Sequence, residues 1–396
     1  FGSSTSAQRA PRVRRHTGRL RMRISVWTLG GEEAVSADLE DSARVCELQG
    51  LVLEATEIAA WRQRLLYGGE VLCADAKLGD VINEDSAQIQ LVACDSLLIA
   101  TASSDCTARL WNEAGDSIWT SPGHSAGITS VSFFPDGRRL LTASADRAAR
   151  LWSTESGLCA QTWSGHIRCV TSAVSTPDGL GAVTSSADTT ARLWSIGRED
   201  CIRTFEGHLE SVKSAAISPD GRLILTSSLD RMAKLWDTHT GTSVRMFKGH
   251  RDGVKSATFS PDGSLVVTGS YDGTARLWST ASGACEQVFE GHGLSVNSAR
   301  LSPDGSLLLT TSLDKVAKLF SVSNGECIQT FRGHKLSATS AVFSPDGNTI
   351  LTASLDGTAR LWCAASGECL RTLGGHTEAV TSAAFAPAVP LQSASE

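Results

Sequence analysis

At 396 residues, with 41% hydrophobic and 20% charged side chains, the chain has an ordinary globular composition and is too long for one compact core. It contains no run of 18 or more apolar residues, which excludes a membrane-spanning helix. The net charge is −6, but the first 23 residues carry seven arginines and no acid; the rest stands at −13, an acidic body that argues against a nucleic-acid groove.

Residues 1–21 read as a basic disordered tail, carrying Arg9, Arg12, Arg14, Arg15, Arg19 and Arg21 among serines. A transit-peptide remnant is the competing reading. The first residue is Phe1, so the chain is either a fragment or starts in truth at Met22. Eleven cysteines, with no C-x-x-C and no N-x-[ST] acceptor, point to a reducing compartment, the cytoplasm with the nucleus as the alternative.

From residue 22 to 94 the pattern is mixed. Met22 to Leu29 alternates as a strand and runs into Gly30-Gly31, a hairpin turn. A helix follows with Val45, Leu48 and Val52 on one face, weakened by Gly50 at a cost of about 1 kcal/mol. Then come Gln63-Arg64-Leu65-Leu66-Tyr67-Gly68-Gly69-Glu70-Val71-Leu72, a turn at Leu78 to Val81, and a strand at Ile89 to Val92. This order resembles ubiquitin, and the Q-R-L-L-Y-G-G-x-x-L stretch is its most recognisable segment. The resemblance implies a β-grasp fold with a recognition patch at Leu29, Leu66 and Val92. The chain runs on through Ala93-Cys94-Asp95, so the conjugating tail is lost, and Glu70 occupies the main chain-linking lysine position.

From there to residue 387 one beat governs the sequence. Gly-His recurs at His124, His166, His208, His250, His292, His334 and His376, each 42 residues after the last. A threonine, an aspartate and an aromatic keep the same beat, as in Thr142, Asp146 and Trp152; Phe320 replaces tryptophan once. Pro-Asp-Gly turns and short β-rich runs between them mark antiparallel hairpins. The ends are complementary: Thr101, Asp105 and Trp111 lack an upstream Gly-His, while His376 lacks a downstream partner set.

Those positions resemble the WD-repeat family over roughly residues 96–387. The resemblance implies a buried His–Asp, His–Thr, Thr–Trp hydrogen-bonded chain in each blade, with Phe320 unable to donate to Thr310. The fold class expected is an all-β seven-bladed WD-repeat propeller with a small N-terminal α+β ubiquitin-like domain. Its parts are a tail at 1–21, the ubiquitin-like domain at 22–94, the propeller at 95–387 and a C-terminal tail at 388–396. The strand at 379–386 is expected to close the first blade, and the linker to be short enough to fix the domain arrangement.

Candidate chemistry mostly dissolves into the repeat. Gly123-His124-Ser125-Ala126-Gly127 matches G-x-S-x-G but lacks the strand-to-helix context of a nucleophile elbow. Cys159, Cys201, Cys285, Cys327 and Cys369 keep the beat as small strand residues, and no clustered ligand set suggests a metal. The basic residues two before each aromatic, Arg109 to Arg360, are expected to pack their stems between blades. No catalytic residue and no cofactor are expected.

In the family, partners meet the loop face around the channel. There the positions are small in several blades but become Lys213 and Leu229, Lys255 and Tyr271, Asn297 and Leu313, with Leu355 beyond. Apolar groups beside cations and an aromatic suit a protein interface. The function expected is a non-enzymatic adaptor, a monomer within a larger assembly, binding protein or peptide partners and neither nucleic acid nor membrane. The propeller would hold a client and the ubiquitin-like domain a second partner, in a ubiquitin–proteasome setting. The alternative is a ribosome-assembly factor, because Notchless-like proteins share this domain order.

Overall fold

The computed structural model describes residues 21–387 except 29–32, 41, 57–62, 68–69, 73–76, 79–81, 83–85, 94–96 and 199. The chain divides into two compact units, Phe1–Asp95 and Ser96–Glu396. The expected domain junction at residues 94 and 95 and the hairpin turn at Gly30-Gly31 lie outside the described residues.

In the first unit, β1 (Arg21–Thr28), β2 (Glu33–Glu40), β3 (Gln63–Tyr67), β4 (Glu70–Val71) and β5 (Ser86–Ala93) form one sheet in the order β2-β1-β5-β3-β4. β1 and β5 run parallel, while the other pairings are antiparallel. Helix α1 (Val45–Thr56) turns Val45, Leu48 and Val52 into the same core as Ile24, Val26, Leu65 and Ile89. Such period-3.6 apolar spacing against a period-2 sheet face is what joins helix to sheet. Gly50 sits on the exposed side of the helix, with open space around it.

Among the described residues of the second unit lie seven four-stranded antiparallel sheets. One sheet is built from both ends of the unit. Its strands β6 (Ile99–Ser103), β7 (Ala108–Trp111) and β8 (Ser117–Thr120) are joined by Val380–Phe385, whose Val380 lies opposite Ser103 and Phe385 opposite Ile99. The next sheet shows the continuous form: β9 (Ile128–Phe133), β10 (Arg139–Ser144), β11 (Ala148–Ser153) and β12 (Cys159–Ser164), hydrogen-bonded in chain order. We number the blades 1 to 7 by their histidines, His124 to His376, so the split sheet is blade 7.

The innermost strands are sewn into a closed ring by side chains reaching one blade onward. Thr129 donates to the Val170 carbonyl at 2.6 Å, and Thr171 to that of Val212 at 2.7 Å. Lys255 donates to the Asn297 side chain at 2.7 Å, Asn297 to the Ala338 carbonyl at 2.7 Å and Thr339 to that of Val380 at 2.7 Å. Thr381 returns to the Ile128 carbonyl at 2.7 Å. Between blades 3 and 4 the link is the Ala257 N–H donating to Ser214 Oγ at 3.0 Å. A closed ring leaves no inner sheet edge seeking a partner.

Candidate functional site

Each sheet's second turn and the loop entering its first strand lie at one end of the blade, and the tetrads form there. In all seven blades the histidine Nδ1 lies 2.7–3.0 Å from the aspartate Oδ2. Its Nε2 lies 2.7–2.8 Å from the threonine hydroxyl, as in His124–Thr142 and His376–Thr101. In six blades a tryptophan N–H, Trp111 and Trp152 among them, donates to that hydroxyl at 2.8 Å. The donor inventory assigns a neutral imidazole, Nδ1–H to aspartate and Nε2 accepting from threonine. Burial pushes His124, His166, His250, His292, His334 and His376 below the ordinary histidine value, against the opposing pull of their aspartates. Burial works to raise Asp105, but hydrogen bonds from Thr107 and His376 win and hold it at about 2.

Blade 5 keeps its His292–Asp314 and His292–Thr310 bonds, but Phe320 gives Thr310 nothing. Asp314 there is 20% exposed, against 2–8% in the other six. The basic ring two before the aromatics is tied to its own blade: Lys234 donates to the Gly207 carbonyl, Lys318 to that of Gly291, and Arg109, Arg276 and Arg360 lie over their indoles at 5.9–6.0 Å. Ser125 of the G-x-S-x-G string caps Asp146 through its backbone N–H in a loop with no following helix. Cys159, Cys285, Cys327 and Cys369 stand exposed on outermost strands, and Cys201 is half-buried.

Around the channel mouth the structure brings part of the expected patch together. Lys255 Nζ lies 5.7 Å from the Tyr271 ring and bonds Asn297. Burial, reinforced by Lys213, pushes Lys255 down to about 8. Lys213 itself has no hydrogen bond or ion pair among the described residues. Leu229 and Tyr271 are half-buried over Gly253, where an added Cβ would stand 2.8 Å from Leu229 and 3.1 Å from Tyr271. Leu313 and Leu355 are exposed at 39% and 42%. Asn297 departs from expectation: it is 4% exposed and spends its amide on Ser337 and Ala338, so it supports Lys255 instead of meeting solvent.

Sequence reading passed over Arg300. It lies on an innermost strand and keeps solvent access, yet desolvation by the groups packed around it pushes the guanidinium below the usual arginine value. No acid pairs with it among the described residues. The other blades carry Ser132, Val174, Ala216, Thr258, Val342 and Ala384 at this position, and one charge in a column of small residues was the available signal. Leu294 and Leu336, exposed at 53% and 48% on the entering loops, were passed over too. Of the expected patch on the first unit, Leu66 is half-buried on β3 and Val92 lies opposite Arg64 on β5; Leu29 lies outside the described residues.

The family model described as "WD domain, G-beta repeat" matches residues 88–112, 115–153, 157–195, 199–237, 241–279, 283–321, 325–363 and 367–395. This chain belongs to the WD-repeat family. Eight matched segments serve seven sheets because the first supplies β6 and β7 and the last supplies the strand that completes them. The first segment also overlaps β5, which pairs with β1 and β3 in the five-stranded sheet. The WD-repeat chain is 33% identical over 101 residues to "Guanine nucleotide-binding protein subunit beta" of Oryza sativa subsp. japonica, 25% of each chain. It is 40% identical over 68 residues to "Nuclear distribution protein PAC1" of Tuber melanosporum, 17% of this chain and 15% of that one. With "Pre-mRNA-processing factor 17" of Mus musculus it shares 34% over 73 residues, 18% of this chain and 13% of the other. The chain thus spans a quarter or less of the length of these relatives. WD-repeat proteins act as interaction scaffolds, and among the described residues no helix is long and apolar enough to cross a membrane.

Proposed function

We propose that this chain is a non-enzymatic adaptor whose seven-bladed propeller, residues 95–387, holds an acidic protein or peptide segment with apolar side chains at the channel mouth. The observation that carries this reading is the pair of neighbouring cations Lys213 and Lys255 on successive innermost strands, with no carboxylate paired to either among the described residues; Arg300 adds a third, deeper on the next innermost strand. An incoming carboxylate relieves the repulsion between Lys213 and Lys255 and gains from their partial desolvation. Leu313, Leu336 and Leu355 supply the apolar contact beside it.

We also read residues 22–94 as a ubiquitin-like docking module with its patch at Leu29, Leu66 and Val92. The strand order β2-β1-β5-β3-β4, with β1 parallel to β5 and one helix on the sheet, supports this reading. The setting is the ubiquitin–proteasome pathway of the cytoplasm or nucleus; the same domain order also suits ribosome assembly. Affinity purification of the full chain with mass spectrometry separates the two. Proteasome or ligase subunits are the expected partners, and pre-ribosomal proteins in their place overturn the pathway assignment.

A further inference from the structure

On the opposite face, where the Pro-Asp-Gly turns lie, a cavity of about 360 Å³ opens between blades 2 and 3. Leu180, Gly181, Leu193, Ile202, Ile217 and Pro219 line it. Two departures from the repeat create it. Three residues before the tetrad threonine, the other blades carry Leu98, Arg139, Leu223, Leu265, Leu307 and Thr349, whereas blade 2 carries Gly181. Leu223, Leu265 and Leu307 fill their seams beside Phe259, Leu301 and Phe343. The equivalent seam, holding Ile217, receives no such side chain.

One residue earlier, blades 1 and 3 to 6 carry Arg138, Arg222, Ser264, Ser306 and Asn348, all polar, and blade 7 carries Leu97, half-buried and followed by the buried Leu98. Blade 2 carries Leu180, 68% exposed. The leucine of this blade therefore stands one residue out of step. Side chains alternate along a strand, so a one-residue displacement turns a seam-filling group out to solvent. Ile202, across the cavity, is 53% exposed. A Cβ at Gly181 would stand 2.5 Å from the Trp194 carbonyl oxygen, so the gap is not filled from that position without moving backbone.

The cavity also carries polar features. Asp178 and Asp220 stand on its lining; the Thr176 hydroxyl bonds the first and the Ser218 hydroxyl the second, at 2.5 Å each. Arg222 approaches Asp220 at 4.0 Å, while Asp178 has no ion pair among the described residues. Thr238, also on the lining, has a buried hydroxyl without a partner among the described residues.

We propose that this cavity receives a leucine or isoleucine side chain from a partner protein segment that carries a lysine or arginine beside it. The incoming group occupies the place of Leu223, Leu265 and Leu307 in the neighbouring seams. Leu180 and Ile202 cover its flanks, and the basic neighbour meets Asp178. This site is independent of the cation-lined mouth on the other face.

Short synthetic peptides with Lys-Leu-Lys, Lys-Ser-Lys and Glu-Leu-Glu cores, titrated into the full chain with methyl-labelled isoleucine, test it by NMR. Saturable shifts of the Ile202 and Ile217 methyls are expected from the first peptide, with the other two binding roughly tenfold more weakly or worse. The variant Leu180→Arg with Ile202→Glu keeps Ile217 as reporter and abolishes its shift; Leu180→Arg installs the residue type of Arg138 and Arg222, so folding is not at stake there. Lys213→Glu leaves the shifts of both methyls intact. Equal shifts from the leucine and serine peptides, no shifts from any peptide, or binding that survives the double variant would overturn the proposal. Self-association lost in Leu180→Arg, read by analytical ultracentrifugation, would overturn it as well by making a second copy the occupant.

Discussion

The tetrad layer and the channel mouth lie at the same end of the propeller and follow opposite rules. In the tetrad layer seven His–Asp pairs agree within 0.3 Å, and a single residue, Phe320, breaks the set. At the mouth the innermost strands carry threonine in four blades, but Lys213, Lys255 and Asn297 in the other three. Repetition marks residues that specify the blade; departure from it marks residues free to serve a partner. The two layers therefore answer to different measurements, stability for the first and binding for the second.

The largest effect is expected from cutting the ring. Deleting residues 380–396 removes the innermost strand of blade 7 and exposes β6 as an edge, so the cooperative thermal transition should vanish in calorimetry and the chain should aggregate. Acid comes next. Six tetrad histidines have folded values below 6.5, so the unfolded chain takes up protons first. Stability from this source is complete above pH 6.5 and falls as the pH drops below it. Asp105, Asp272 and Asp356, held at about 2 against 3.8, add a second loss between pH 3.8 and 2. Melting curves across this range should show both declines; a midpoint unchanged from pH 7 to pH 5 contradicts the first.

A paired substitution then sharpens the comparison within the tetrad layer. Thr268→Val strands both the Trp278 N–H and His250 Nε2, whereas Thr310→Val strands only His292, because Phe320 has no N–H. With about 1–3 kcal/mol per stranded buried group, urea titration should find the first variant less stable than the second by about that amount. Equal losses would mean the indole bond contributes nothing. The smallest effect is a gain: Phe320→Trp supplies the missing donor and should stabilise by about 0.5–1.5 kcal/mol. Gly291 leaves room there, since a Cβ added to it would lie 3.8 Å from the Phe320 ring, against 3.2 Å between a Cβ added at Gly249 and the Trp278 ring. None of these variants, while folded, should alter partner binding.

The two layers were also unequally legible in the sequence. His124, Thr142, Asp146 and Trp152 could be placed because each recurs every 42 residues and each has one hydrogen-bonding role. The pairing of His376 with Asp105 and Thr101 followed from unmatched ends, and the structure holds those residues 2.9 and 2.8 Å apart. The mouth was read less well. Asn297 was expected at the surface because its position is a contact position in the family, yet an amide can both accept from Lys255 and donate to Ala338, and the ring claims it for that. Arg300 and Gly181 leave no mark on a 42-residue beat, which records only what recurs; the first is visible as the one charge, and the second as the one glycine, among the seven equivalent positions of the blades. In the first unit the order of β1 to β5 was foreshadowed by alternation and turn glycines, while Leu29 falls outside the described residues.

The most direct test of the claim that the departures carry function is a Lys213→Glu, Lys255→Glu, Tyr271→Ala triple variant of the full chain. Its circular dichroism and melting midpoint are recorded beside its affinity-purified partners. Loss of the propeller-dependent partners from a variant that still melts cooperatively is the expected result. An unchanged partner set would contradict the account and return the channel mouth to ordinary surface.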